Sequence, residues 1–148
     1  MASRNGSATA APIAPAIADA FKARFGHQIH NIYGLTETTG AVVNLPPADH
    51  DPNGPNRHRL RSCGLPGPGV GLRIVNPDIG TDCEQGEVGE IWIRSQQVML
   101  GYWNMPEKTR EAFRDGHCTV GDMALRDADG FIRLIDRKKN MIISGGMN

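Results

Sequence analysis

Tyr33, Gly34, Leu35, Thr36 and Glu37 place a flat aromatic ring, a position without a side chain, a hydroxyl and a carboxylate within five consecutive residues. Such a set suits a nucleotide with its metal. A tyrosine ring can lie against a base, a glycine admits a ligand to the backbone, a threonine donates to phosphate, and a glutamate offers Mg²⁺ the hard oxygen it prefers. Taken without context, the same five residues also describe an ordinary polar turn between two elements.

Other reactive side chains form weaker patterns. His27, His30, His50, His58 and His117 show no H-E-x-x-H or comparable spacing, which argues against zinc chemistry. Cys118 has only His117 beside it, and neighbours in sequence seldom face the same way on a strand, so a thiol nucleophile is not expected. The run Arg57-His58-Arg59-Leu60-Arg61 reads as a solvated loop in a neutral chain. Met99, Met105, Met123, Met141 and Met147 read as core or loop fillers.

Elements that would position the Tyr33 segment are visible around it. Ile13, Ile17, Phe21 and Phe25 recur every four residues between Pro15 and Gly26, the pattern of an amphipathic helix with a glycine stop. A strand over Gln28 to Tyr33 would follow, delivering polar loop residues at its end, where open α/β sheets bind ligands. From Leu45 to Gly71 the many prolines and glycines predict loop. Leu72–Val75, Val88–Ile93 and Val98–Tyr102 read as short strands, Pro106–Phe113 as a helix, and Met123–Arg126 with Phe131–Asp136 as a hairpin turning at Asp127-Ala128-Asp129-Gly130. The series predicts a small antiparallel sheet or barrel.

Composition bounds the reading further. The 148 residues suffice for about one domain of ordinary size. Leu, Ile, Val and Phe make up about 21% of the chain, just above the roughly 20% below which charged chains stay disordered. A folded but thin core is expected. Sixteen basic and sixteen acidic residues cancel, leaving no excess for nucleic-acid phosphates. Three widely spaced cysteines without C-x-x-C favour a reducing, cytoplasmic setting, and no apolar run reaches the roughly 18 residues of a spanning helix.

Tyr33-Gly34-Leu35-Thr36-Glu37-Thr38-Thr39-Gly40 resembles a core motif of the adenylate-forming (AMP-binding) enzymes, which include acyl-CoA synthetases, adenylation domains and firefly luciferase. The resemblance continues in order through Arg61-Ser62-Cys63-Gly64-Leu65-Pro66-Gly67-Pro68-Gly69, Gly86-Glu87-Val88-Gly89-Glu90-Ile91-Trp92-Ile93-Arg94, Gly101-Tyr102-Trp103-Asn104 and Val120-Gly121-Asp122. It closes with Asp136-Arg137-Lys138-Lys139-Asn140-Met141-Ile142-Ile143-Ser144-Gly145-Gly146. It implies a mixed α/β fold: the end of an α/β subdomain, then a small antiparallel β-barrel-like subdomain, then the hinge of the adenylate-forming fold. Residues 1–136 would be the C-terminal part of the large AMP-binding domain, with helix, strand and nucleotide loop in 1–44 and a β-rich part in 45–136. Residues 137–148 would hold the hinge and the first residues of the small C-terminal domain.

The resemblance also implies roles. Tyr33 would stack on adenine, Thr36 contact the α-phosphate and Glu37 ligate Mg²⁺, while Gly34 and Leu35 line the acyl pocket. Asp122 would accept hydrogen bonds from the ribose hydroxyls, as an acceptor-only carboxylate can, and Arg137 would approach ribose and phosphates with a permanent charge. Lys139 would be the hinge, a position filled in this family by Asp or Lys. The implied activity is that of an acyl-CoA synthetase of fatty acid metabolism, joining a small-molecule carboxylic acid to CoA at the expense of ATP. Alternatives are an adenylation domain loading an amino or aryl acid onto a carrier protein and a non-catalytic nucleotide-binding remnant.

Departures from the family pattern are Val120 where a Thr usually precedes Gly-Asp and Ser95 where a Gly usually follows Arg94. The Ser/Thr/Gly-rich phosphate loop that should precede Tyr33 is missing, as is the catalytic lysine of a C-terminal domain. An internal fragment, inactive by itself, is therefore expected.

Overall fold

The computed structural model describes residues 6–9 and 13–137. It contains β1 (Gly6–Thr9), α1 (Pro15–Phe25), β2 (Ile29–Leu35), β3 (Gly40–Leu45), β4 (Leu65–Pro66), β5 (Gly71–Val75), β6 (Gly89–Arg94), α2 (Pro106–Glu111), β7 (Phe113–Arg114), β8 (His117–Arg126) and β9 (Ile132–Arg137). The fold is mixed α/β and dominated by antiparallel pairing. One sheet has the order β1-β2-β3-β4, with only β1 and β2 parallel. The other runs β5-β6-β8-β7, and β9 also pairs with β8. No closed barrel forms among the described residues.

Local chemistry explains most boundaries. α1 starts with Pro15 in its first turn and stops at Gly26, whose φ of 70° is left-handed and whose N–H bonds Lys22 O. The hairpin turns at Asp127, whose Oδ1 accepts from the N–H groups of Asp129 and Phe131, with Gly130 left-handed at φ 86°. α2 ends two residues before the expected Phe113, which pairs in β7 instead.

Three expectations need correction. Val98–Tyr102 is no strand: the N–H groups of Val98, Met99 and Tyr102 bond the carbonyl of Ser95, the carbonyl of Glu37 and the hydroxyl of Thr109 in place of a ladder. β3 lies where only the nucleotide loop was foreseen, because Val42 and Val43 are fully buried across from β2. The apolar stripe of α1 is only partly covered by described residues, since Ile17 and Phe25 are exposed while Ala18 is buried.

The two sheets share one core, in which Val42, Val43 and Cys63 meet Leu72, Ile74, Ile91, Ile93, Ala124 and Ile132. Their backbones are also joined. Cys63 N–H bonds Ile132 O at 2.8 Å, and Ile132 N–H bonds Gly64 O at 2.9 Å. Gly64 has φ +106°, and a Cβ there would lie 1.8 Å from Asn44 O. Gly64→Ala should therefore cost about 3 kcal/mol or more, through left-handed strain and a backbone clash with no flexible group to yield. Urea unfolding checks it, and a midpoint equal to wild type would contradict it.

His50 is buried, and burial pulls its imidazole below the ordinary histidine range, with His30 adding to the shift. The unfolded chain then takes up this proton near about pH 6.5 and the folded chain only at lower pH. Stability from His50 is complete above that value and falls as pH drops below it. Unfolding midpoints should fall between pH 7.5 and 5.5, and His50→Gln should flatten that fall; an equal slope in the variant would contradict it.

Candidate functional site

β2 carries Ile29, Asn31 and Tyr33 on its buried side, as the two-residue period of a strand requires. Between Tyr33 and Gly34 its register with β3 slips. Gly34 is needed there because a Cβ would stand 2.0 Å from Gly40 O. The chain then tightens into a single 3-10 turn over Thr36–Thr38 and reverses through Thr39, left-handed at φ 48°. Thr38 clamps this turn from within: its buried hydroxyl accepts from Leu35 N–H and donates to Gly40 O, both at 2.8 Å. Thr36 is left exposed and Glu37 half-buried.

Asp122 reaches the same region from the other sheet. β8 bulges here: its register with β6 shifts between Glu90 and Trp92, and Gly121 stands in mid-strand at φ 72°. A bulge re-aims the side chain that follows it. The Tyr33 hydroxyl donates to Asp122 Oδ2 at 2.7 Å, with Tyr33 3% and Asp122 6% exposed. Across β9 the backbone of Arg137 pairs with that of Asp122. Lys139 lies outside the described residues.

Loop 95–104 completes the turn's surroundings. Gln97 Nε2 donates to Thr38 O at 3.1 Å and to Ala41 O at 2.9 Å, while Thr39 Oγ1 donates to Gln97 O at 2.6 Å. Met99 N–H bonds Glu37 O at 2.8 Å, and the Tyr102 hydroxyl donates to Glu37 Oε1 at 2.7 Å. That hydrogen bond to a carboxylate is the main reason the Tyr102 phenol is pushed up to about 12, burial adding to it. Cys118 is fully buried, and burial first, then the Glu37 charge, pushes its thiol up. A thiol held protonated there is a poor nucleophile.

Tyr33, Thr36, Glu37 and Asp122 thus sit on two adjoining structures, the first three on one strand and turn. Gly34 and Leu35 are half-buried beside them. Thr38, Gln97 and Tyr102 belong to the site's framework but were not singled out from sequence. Tyr102 stood in a quoted motif, and its aromatic hydroxyl was the available signal. Among the described residues no group of three or more His, Cys, Asp or Glu forms a metal cage. A lone carboxylate is compatible with Mg²⁺, which keeps several waters and takes substrate phosphates as its other ligands.

The sequence profile of the family described as AMP-binding enzyme matches residues 4–103. The chain is 40% identical over 137 residues to a long-chain-fatty-acid–CoA ligase of Yersinia pestis, covering 93% of this chain and 23% of that protein. It is 41% identical over 130 residues to a sulfoacetate–CoA ligase of Cupriavidus necator, covering 87% and 24%. Among solved structures, an O-succinylbenzoate coenzyme A synthetase of Bacillus subtilis in complex with ATP and magnesium ion is similar at a TM-score of 0.83. That pair is 29% identical, over 96% of this chain and 28% of that one. The chain spans about a quarter of the length of these relatives.

The hydroxyl of Tyr33 donates to a carboxylate that is nearly buried. Tyr33→Phe keeps the ring and should cost about 1.5 to 3 kcal/mol, the range for a hydrogen bond to a charged group. Unfolding in urea measures this, and an unchanged stability would contradict the role of the contact.

Proposed function

The chain belongs to the AMP-binding enzyme family, and on that premise we propose that it is the nucleotide-binding segment of an ATP-dependent acid–thiol ligase. The observation that supports this reading is the hydrogen bond between Asp122 on β8 and Tyr33, on the strand that leads directly into the turn carrying Thr36 and Glu37. In the proposed reaction a carboxylate oxygen attacks the α-phosphorus of ATP and pyrophosphate leaves. The thiol sulfur of CoA then attacks the acyl carbon and AMP leaves. The acid would be a small-molecule carboxylic acid, and a fatty acid is favoured by likeness to the Yersinia relative.

The residues divide this work. Exposed Thr36 donates its hydroxyl to an α-phosphate oxygen. Glu37 holds Mg²⁺, which when bound would neutralise phosphate charge. Asp122 accepts from the ribose hydroxyls, and Arg137, opposite it in register, supplies positive charge toward ribose and phosphates. Adenine would stack against the ring of Tyr33, a residue 3% exposed, whose hydroxyl also fixes Asp122. Gly34 and Leu35 border the acyl group, and Lys139 is the hinge beyond a large domain that ends at 136. The free cysteines support a cytoplasmic setting.

By itself the chain should not exchange labelled pyrophosphate into ATP, because the segment spans so little of its relatives. Installed in a complete ligase in place of the matching segment, it should support that exchange. Glu37→Gln there should lower it by about a hundredfold or more while the protein still folds. Undiminished exchange by the variant at saturating Mg²⁺ would overturn the metal role.

A further inference from the structure

Loop 95–104 has no strand partner, yet it holds the turn that presents Glu37 at several points. Gln97 and Met99 hold its backbone, at Thr38, Ala41 and Glu37. Tyr102, among the described residues of this loop, reaches the side chain that would meet the ligand. Its own placement comes from α2: Tyr102 N–H bonds Thr109 Oγ1 at 2.9 Å, and Gly101 at φ +157° lies against Thr109 with no room for a Cβ. The flanking Leu100 and Trp103 are exposed, so burial of its neighbours does not account for the inward turn of this one phenol.

We propose that Tyr102 is the positioning residue for the Glu37 carboxylate. By donating to Oε1 it selects one orientation of an otherwise free glutamate and leaves Oε2 for coordination of Mg²⁺ on the nucleotide. The inference rests on the reading of Glu37 as the metal's carboxylate. Glutamate has three rotatable side-chain bonds, and a ligand held in place before binding loses less freedom when the metal arrives. A carboxylate can accept at about four positions, so one phenol does not exhaust it.

The test is calorimetric titration of the 148-residue chain with ATP, in Mg²⁺ and in EDTA. Wild type should bind ATP more tightly with Mg²⁺. Tyr102→Phe should lose about three- to tenfold of that gain, the scale of one net hydrogen bond, with binding in EDTA unchanged. If Tyr102 acts through Glu37, the double variant Glu37→Gln with Tyr102→Phe should match Glu37→Gln alone. Wild-type behaviour of Tyr102→Phe, additive losses in the double variant, or an equal loss in EDTA would each overturn the proposal. So would a Tyr102→Phe chain that no longer melts cooperatively, because the hydroxyl would then serve the fold. A different result marks failure of the underlying reading: wild type gaining nothing from Mg²⁺, or Glu37→Gln keeping the whole gain.

Discussion

The backbone contact where Cys63 and Gly64 meet Ile132 anchors the arrangement that brings the site together. It is the point at which two sheets, each with its own pairing order, are held in one relation. Tyr33 belongs to the first sheet and Asp122 to the second, and their 2.7 Å hydrogen bond requires that relation. Backbone hydrogen bonds are directional and short, so a contact of this kind fixes orientation more tightly than apolar packing does. The apolar core around it supplies the driving force, while the close approach of Asn44 to Gly64 admits no side chain.

The irregular pairing of the strands is concentrated around the site. β2 slips against β3 beside Tyr33, β8 bulges at Gly121, and β9 slips against β8 between Met123 and Ala124. An unbroken ladder would alternate side chains between faces and send neighbouring residues apart. These breaks turn Asp122 toward Tyr33 and release the chain after Gly34 into a tight turn, so that chemistry occupies places where regular pairing gives way.

Much of this was legible in the sequence because it is local. Pro15 and Gly26 bracket α1, Asp127 to Gly130 turns the last hairpin, and the Tyr33 to Glu37 segment runs from a strand into a turn as its residue types suggest. What was not legible is non-local. Val98 to Tyr102 has the apolar and aromatic content of a strand, but its hydrogen bonds go to Glu37 and Thr109, partners that no window along the chain contains. Val42 and Val43 sit behind a glycine, and only their burial against β2 makes them a strand. The Tyr33 ring carried an expected role in stacking; the partner of its hydroxyl, Asp122, stands on a strand 89 positions away.

That separation bears on how the protein acquires its site. During synthesis, at roughly 5 to 20 residues per second, the turn carrying Glu37 emerges before its supports, which arrive in stages. Tyr102 follows 65 residues later and Asp122 later still. Contacts of such long range charge their loop-closure entropy before they return any stabilisation, which slows folding and places them late. A nascent chain interrupted before β8 would display the signature turn in full but without the Asp122 carboxylate that accepts from Tyr33.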